Sequence, residues 1–426
     1  MTTVALFSIF IGLFLLEVPV ALALAISSVL ILGTTTDFTM YMIAHKMFSS
    51  LENSPLMAIP GFVLAGSVMS YGGISKYLID ALRTWVGHVR GGLSIVTVLA
   101  CMIFAAISGS SPATAAAVGG ILIPAMINSG FDKKYAMGLV AASGTLGILI
   151  PPSITFVLIG VTTGESIGKL FMAGVLPGIF LGGSLMVTAI IFARVKGFPT
   201  EEKASWSERW TASKKAIPGF LLPGIILGSI YGGIATPTEA AIISIFYAFF
   251  VTIFIYREMS LKKFRSIMRE AIGISSMIFL IIPAAMTFAM YLTSEQIPMK
   301  IAQWVAENSL GIVVFWIVVQ TMFFVMGTFL EAVSIVLITL PVLIPIINHL
   351  GISMIHFAVV MVVNMELAMI TPPVGLNLFV VSAVGKSKLE EAVRGVIPFL
   401  LVMIAVLFVL VMFPEISLYL PNKMDQ

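Results

Sequence analysis

The stretch LIPPSITFVL at residues 149–158 returns in altered form as ITPPVGLNLF at residues 370–379. Each copy places a proline pair inside an apolar run. ILIPAM at 121–126 and VLIPII at 342–347 are separated along the chain by the same interval as the two proline pairs. Two further matches in the same order, at nearly that interval, are Trp85 with Trp304 and Pro60 with Pro283. The ordered matches indicate a duplicated unit.

The composition predicts an integral membrane protein with many spans. Of the 426 residues, 59% are hydrophobic and only 10% are charged, whereas soluble domains are about one quarter charged. The apolar runs leave room for roughly ten or more helical spans of about 20 residues each. Cys101 is the single cysteine, and the four histidines show no ligand spacing, which argues against disulfides and Cys-rich metal sites. The net charge of +3 gives no sign of nucleic-acid binding.

The distribution of basic residues predicts that the two halves have opposite orientations. Five basic residues lie around the hairpin candidate of the first half: Lys76, Arg83, Arg90, Lys133 and Lys134. The equivalent places in the second half hold only Lys300, beside Glu295 and Glu307. By the positive-inside rule, the first hairpin enters from the cytoplasmic side and the second from outside. Inverted repeats of this kind are typical of secondary transporters.

The expected fold is an all-α polytopic membrane protein with two inverted repeats, re-entrant helical hairpins and broken helices. The hairpins are placed at 92–128 and 311–348, the broken crossings at 135–163 and 356–385, and amphipathic interfacial helices at 74–86 and 296–307. The N-terminal region is expected to form two short segments, 2–16 and 18–33, with one long tilted helix as the alternative. It lacks the features of a signal peptide and is expected to remain as membrane structure.

Each hairpin is expected to start a half-helix at mid-membrane. Ser111 is a good N-cap before Pro112, and Thr328 and Glu331 have the spacing of a capping box. The proline pairs remove backbone donors and split their crossings. Irregular backbone at that depth needs a protein-lined or wet cavity. Half-helix N-termini suit a carboxylate, and freed carbonyl and hydroxyl oxygens suit an alkali cation.

These features predict two sodium sites that flank one anionic substrate. The first sodium site comprises Ser108, Gly109, Ser110, Ser111, Gly144, Thr145 and Gly147. The second comprises Gly327, Thr328, Glu331, Met369, Thr371 and Pro372. The substrate candidates are Ser111, Pro112, Thr114, Pro152, Ser153, Pro373 and Asn377. Glu331 could be only a capping partner, Glu239 and Glu17 are interpreted as structural, and Asn364 and Asn377 face either the cavity or a neighbouring helix. No cofactor other than the coupling sodium ions is expected.

Two other function classes fit the sequence poorly. SGSS at 108–111 could suggest an intramembrane hydrolase, but no histidine and no aspartate pair lies at a plausible membrane site. ATP-driven transport would need a phosphate-binding loop, and the GxxxxGK[ST] pattern is absent from the sequence. The chain is therefore predicted not to be an enzyme.

The chain closely resembles, from end to end, the large membrane subunit of TRAP transporters, the tripartite ATP-independent periplasmic systems. The resemblance is carried by PGFVLAGSVMSYGGIS (60–75), GHVRGGLSIVTVLACMIFAAISGSS (87–111), ILIPAM (121–126), IPPSITFVLIGV (150–161), TPTEAA (236–241) and LAMITPPVGLNLFV (367–380). It implies a sodium-coupled importer of organic acids that works by an elevator motion in the bacterial inner membrane. It also implies two partners, a small four-helix membrane subunit and a soluble periplasmic substrate-binding protein.

The same resemblance implies a division of the chain and a substrate. The moving parts are 92–163 and 311–385, and the scaffold comprises 1–91, 164–310 and 386–426. Many family members have an aspartate where this chain has Thr114, and members similar across SGSSPATA handle sialic acid. N-acetylneuraminate is therefore the expected substrate. The alternative is a stand-alone sodium/C4-dicarboxylate symporter with the same architecture.

Overall fold

The computed structural model of the protein describes residues 2–308 and 311–424. Every regular element in these ranges is a helix, as predicted, and seven of the described helices are long and apolar enough to cross a membrane. The predicted division points at residues 1, 310 and 426 lie outside the described residues. The first part of the chain contains α1 (Thr2–Leu15), α2 (Val20–Thr35), α3 (Met40–Ser49), α4 (Ala58–Tyr71), α5 (Ile74–Val86), α6 (Gly92–Ser108), α7 (Ser111–Asn128), α8 (Lys133–Gly144), α9 (Ile154–Thr163) and α10 (Ile167–Lys196).

The second part contains ten further helices. They are α11 (Trp206–Tyr231), α12 (Pro237–Phe250), α13 (Leu261–Ser294), α14 (Ile297–Glu307), α15 (Ile312–Gly327), α16 (Ala332–His349), α17 (Met354–Ala368), α18 (Leu376–Gly385), α19 (Leu389–Met412) and α20 (Glu415–Lys423). Short 3₁₀ turns cover Ser54–Met57 and Thr145–Ile148, and a π turn at Val251–Ile255 extends α12. Each range predicted as a hairpin or a broken crossing contains two consecutive helices in the structure. The prediction missed α3 and α20, which are short and carry polar residues among their apolar ones.

The N-terminal alternative of one long helix is wrong. Glu17 adopts a left-handed backbone conformation with φ 63°, and Pro19 directly precedes α2. A non-glycine residue at positive φ interrupts a right-handed helix. The chain therefore forms α1 and α2 as separate helices, which confirms the two-segment prediction.

Helices α4–α10 and α13–α19 follow one another in the same order, and left-handed residues recur at matching junctions. Gly73 (φ 82°) precedes α5, and Gln296 (φ 56°) precedes α14. The other two pairs of left-handed residues are Gly130 with Gly351 and Gly164 with Lys386. In each pair, the two members are separated by nearly the same interval as the proline pairs of the sequence. The chain thus turns in the same way at three corresponding places.

The two broken crossings run through the core. All residues of α8 from Tyr135 onwards are buried, and so is all of α17 except Ile355. Helix α19 packs very closely on α8, because a Cβ added at Gly138 would lie 2.1 Å from the carbonyl carbon of Gly395. Only glycine permits this approach of two backbones, a contact typical of membrane helices. The crossings are therefore held by backbone contacts as well as by side chains.

Candidate cation and substrate site

The first hairpin comprises α6 and α7, and its tip, residues 108–111, is closed by hydroxyl groups. Gly109 turns the chain with φ 61°, and Ser110 is extended before α7 begins at Ser111. The Ser108 and Thr114 hydroxyls lie 2.7 Å apart. The Thr114 hydroxyl also donates to the Ser110 carbonyl oxygen at 2.9 Å. The first tip is therefore a compact group of oxygen atoms at the start of a half-helix.

The first tip lies on the first break, residues 145–153, where the crossing is interrupted between α8 and α9. A Cβ added at Gly147 would be 2.5 Å from the Ser110 carbonyl oxygen and 2.7 Å from the Thr114 hydroxyl. The Ile154 amide donates to the Gly109 carbonyl oxygen at 3.5 Å. The structure therefore brings Ser108, Gly109, Ser110 and Gly147 together, as the first predicted sodium site requires.

Four further candidates near the first break are buried or held by local contacts. The Thr145 hydroxyl donates to the Ala142 carbonyl oxygen at the end of α8 at 2.7 Å. A Cβ added at Gly144 would lie 2.7 Å from the Cβ of Ala115 on α7. Ser153 caps α9 by accepting the Phe156 amide, and Pro151 and Pro152 are buried and joined by a cis peptide bond. This region is closely packed.

The second hairpin comprises α15 and α16, and its tip, residues 327–331, lies on the second break, residues 369–375. The Gly375 amide donates to the Thr328 carbonyl oxygen at 3.4 Å. A Cβ added at Gly327 would lie 2.5 Å from the Cβ of Ala368, at the end of α17. The Thr328 and Thr371 hydroxyls donate to carbonyls of their own helices. The second tip therefore meets its break through backbone contacts, and its hydroxyls turn back into their own helices.

The predicted helix caps at both tips are wrong in detail. Ser110 flanks α7, Ser111 is its first residue, and the Ser110 side chain makes no capping hydrogen bond. Thr328 and Glu331 form no capping box: Thr328 directly follows the last residue of α15, and Glu331 precedes α16 without a side-chain cap. The Thr328 hydroxyl donates to the Val325 carbonyl because α15 extends as far as Gly327. Thr236 and Glu239 do form a capping box at the start of α12, so the structural interpretation of Glu239 is correct.

Asn377 links the two halves of the site. Its side-chain amide donates to the Ser111 hydroxyl at 2.7 Å and to the Ala141 carbonyl at 3.1 Å. Both Ser111 and Asn377 are fully buried. Asn364 instead donates to Gln320 on α15, so it faces a neighbouring helix. The structure thus joins two of the predicted substrate residues that lie in different halves of the chain.

The remaining substrate and sodium candidates differ in exposure. Pro372 and Pro373 are exposed, whereas Pro152 is buried and Pro112 is half-buried. Glu331 is half-buried, and the Met369 carbonyl accepts the backbone amide of Asn377 at 3.1 Å.

Carbonyl and hydroxyl oxygens dominate both tips, a donor set that suits a hard monovalent cation. Within the described residues, no group of three or more His, Cys, Asp or Glu side chains could hold a metal ion.

Several polar residues of this region escaped the sequence reasoning. Glu366 in α17 has no exposed surface, and neither carboxylate oxygen has a hydrogen-bond partner within the described residues. Glu270, Ser67 and Ser70 share a cavity with the first tip. An acid inside an apolar helix is a signal that could have singled out Glu366. Glu270, Ser67 and Ser70 could not be singled out in this way, because only the structure places α4 and α13 beside the first tip.

Comparison with known proteins decides the family. Residues 7–416 match the family described as the DctM component of the tripartite ATP-independent periplasmic transporter. The chain belongs to this family. It is therefore a TRAP transporter permease component and not an enzyme, as the resemblance predicted.

Relatives of the family cover nearly all of the chain. It is 48% identical to a C4-dicarboxylate TRAP transporter large permease of Pseudomonas aeruginosa, covering 89% of each chain, and 41% identical to one of Rhodobacter capsulatus, covering 99% of each. A sialic acid TRAP transporter large permease of Vibrio cholerae is 33% identical, covering 96% of each. The YdaH transporter of Alcanivorax borkumensis has a similar fold, with a TM-score of 0.61 at 13% identity, covering 95% of this chain and 97% of that one.

Proposed function

We propose that the chain is the transport subunit of a sodium-coupled secondary transporter that imports an organic acid. The observation that carries the proposal is the contact of each hairpin tip with its own break, together with the Asn377–Ser111 hydrogen bond between them. Half-helix N-termini and unpaired carbonyls at one place can bind an anion and its coupling cations side by side. Two sodium sites, one at each tip, flank the acid in this proposal.

The two parts of the chain form inverted repeats in the proposal. The left-handed junctions at matching intervals support a duplicated unit, and the basic residues near the first hairpin support opposite orientations. Inverted repeats place corresponding breaks at the same depth of the bilayer. An elevator motion would then carry both tips across the membrane as one body.

Close packing extends the proposed moving body beyond the hairpins and crossings. Helix α19 contacts α8 through Gly138 and Gly395. A Cβ added at Gly174 of α10 would lie 2.4 Å from the Leu149 carbonyl in the first break. Helices that approach so closely are hard to separate in every transport cycle. We therefore place α10 and α19 in the moving body, although the sequence division assigned them to the scaffold.

A C4-dicarboxylate is the first substrate candidate. The two relatives with the higher identities carry that substrate in their names, while the sialic acid relative is 33% identical. Thr114 favours the second candidate, N-acetylneuraminate, through the resemblance of the SGSSPATA stretch. In the structure, the Thr114 hydroxyl binds Ser108 and Ser110 within the tip. Thr114 therefore shapes the site through its neighbours.

The proposed assembly contains a small membrane subunit and a periplasmic binding protein, in a bacterial inner membrane. The family description supports a tripartite, periplasm-dependent system. A relative named isethionate TRAP transporter permease protein DctMQ aligns with this chain over only 65% of the relative's own length. The rest of that relative is long enough to contain a second, smaller subunit. The stand-alone symporter remains the competing proposal, and it needs neither partner.

A reconstitution experiment tests the function. Proteoliposomes that contain this chain and the small subunit would receive labelled succinate or N-acetylneuraminate, together with the matching binding protein. We expect uptake only with an inward sodium gradient and only with all three components. Uptake by the chain alone would favour the stand-alone symporter. Uptake that is independent of sodium would remove the proposed coupling.

A further inference from the structure

A small cavity of about 20 Å³ lies between the first tip and helices α4 and α13, beside the place where Gly66 of α4 packs on Ser108. Ser108 and Ser110 line it from the tip. Ser67 and Ser70 of α4 and Glu270 of α13 line it from the opposite wall. The remaining wall is apolar, and no lysine, arginine or histidine borders the cavity in the part of the chain that the structure describes. The cavity thus adjoins the first predicted sodium site from the side of the scaffold.

The polar groups on the scaffold wall have oxygen atoms that are free to bind a ligand. Ser67 is only 5% exposed, yet neither its hydroxyl nor that of Ser70 has a hydrogen-bond partner within residues 2–308 and 311–424. Glu270 is half-buried, it lies near the Tyr71 hydroxyl, and it has no ion pair within the described residues. Buried polar groups are normally satisfied, so free oxygens that face one cavity call for a ligand.

The chemistry of this wall selects the ligand. Hydroxyl oxygens and one carboxylate are hard donors that suit an alkali cation. A carboxylate repels an organic acid, and the cavity offers no basic side chain to counter that repulsion. The cavity therefore suits the coupling ion and excludes the substrate.

We propose that Ser67, Ser70 and Glu270 form a release station for sodium, which accepts the ion as it leaves the oxygens of the first tip. The station rests on the proposed sodium coupling and orientation. Glu270 directly follows the basic first part of α13, which holds Lys262, Lys263, Arg265 and Arg269. Basic residues at the end of a spanning helix mark the cytoplasmic side. The station thus lies toward that side, where an imported ion leaves.

The proposal is tested by inhibition of uptake from inside the vesicle. Proteoliposomes with the complete three-component transporter would be loaded with increasing sodium, with potassium as the replacement ion, at constant external sodium. Glu270→Gln should raise the internal sodium concentration for half-inhibition about three- to tenfold, because a nearby carboxylate stabilises a cation by a kilocalorie or so. The external sodium concentration for half-maximal uptake should stay within about twofold of wild type.

Two variants complete the design. Glu295→Gln removes an acid just beyond the other end of α13, outside the cavity, and should leave both sodium concentrations unchanged. Ser70→Ala should shift internal inhibition in the same direction as Glu270→Gln but less, and it carries the test if Glu270→Gln fails to assemble. If wild-type uptake requires sodium but the variants leave inhibition by internal sodium unchanged, the release station is overturned and the sodium coupling is not. A wild type that needs no sodium would overturn the coupling, and the station with it.

Discussion

The first tip is buried and held by side chains, whereas the second is partly exposed and held by its backbone. At the first tip, the Ser108 and Thr114 hydroxyls bind each other, and the adjoining Pro151–Pro152 pair is buried. At the second, Phe329 is 51% exposed and the Pro372–Pro373 pair is exposed as well. The two tips therefore differ in their contacts: hydroxyl groups bind each other at the first tip, whereas an apolar side chain and the proline pair are exposed at the second.

These contacts indicate which tip is more rigid. Several hydroxyl contacts and a close glycine approach fix the first tip, so local opening there must break hydrogen bonds in a buried site. The second tip has the Gly375–Thr328 bond and the Gly327 contact, with few side-chain ties. We expect the second tip to be the more mobile of the two. Both this difference and the inverted repeat on which it depends can be tested with single substitutions.

The largest effect expected is all-or-none labelling of single cysteines at the two hairpins. Lys133 follows the first hairpin and His349 ends the second. In a Cys101→Ala background, Lys133→Cys should react only with a membrane-impermeant reagent on the cytoplasmic side, and His349→Cys only on the opposite side. Labelling of both from one side would contradict the inverted repeat, and the comparison of the tips would lose its basis.

Gly147→Ala should reduce sodium-dependent uptake by more than about tenfold, because overpacking of a close contact costs roughly 1–3 kcal/mol. The new Cβ would lie 2.5 Å from a backbone oxygen of the first tip. Gly327→Ala should have the smaller effect, because its Cβ meets the Ala368 side chain at a tip that yields more readily. Gly120→Ala, with nothing within 4 Å, is the matched control. A larger loss for Gly327→Ala than for Gly147→Ala would reverse the order of rigidity.

Much of this arrangement could be predicted from the sequence. Helix α5 begins and ends at the predicted residues, because Ile74, Leu78 and Trp85 recur at helical spacing between glycines. The proline pairs located both breaks because proline cannot continue a helix without losing a hydrogen bond. Ser110 and Ser111 are equally good N-caps by residue type, so the first helix start was misplaced by one residue.

Other features could not be predicted because they depend on contacts between distant elements. The spacing of Thr328 and Glu331 matches a capping box, but only the structure shows that α15 reaches Gly327. Asn377 meets Ser111 through tertiary packing, and the sequence could not decide between a cavity and a neighbouring helix. The scaffold wall formed by Ser67 and Glu270 likewise depends on which helices stand beside the tip.

Asn377→Ala should lower uptake about three- to tenfold, because it leaves a buried Ser111 hydroxyl without its donor at a cost of about 1 kcal/mol or more. Asn364→Ala is the matched control, since Asn364 is a buried amide that donates to Gln320 of α15, a residue outside both tips. Ser111→Ala should act in the same direction. The double variant should lose less than the two single losses combined, as expected for residues in direct contact. Additive losses would show that Asn377 and Ser111 act independently.

The smallest effect expected concerns the interfacial arms. Glu258, outside the spanning segments, binds the Lys263 ammonium at 2.9 Å and accepts from the Tyr77 hydroxyl of the first arm, α5, at 3.3 Å. The hydrogen bond from Lys263 holds the pKa of the Glu258 carboxyl below its ordinary value. Because the folded pKa is the lower one, the contribution to stability is fully present above the ordinary carboxyl pKa and is lost as the pH falls through the folded pKa. The second arm, α14, has no ion pair within the described residues.

Glu258→Gln should therefore destabilise the protein by no more than about 1 kcal/mol at neutral pH, since the ion pair is partly exposed and screened. Thermal unfolding in detergent, followed from neutral pH down to a pH below the ordinary carboxyl pKa, would measure the difference in stability between variant and wild type. We expect the difference to shrink as the pH falls, because wild type loses the charge that the variant already lacks. Glu307→Gln in α14 should show no such pH-dependent difference. A constant gap for Glu258→Gln would mean that the contact works through packing against the arm and not through its charge.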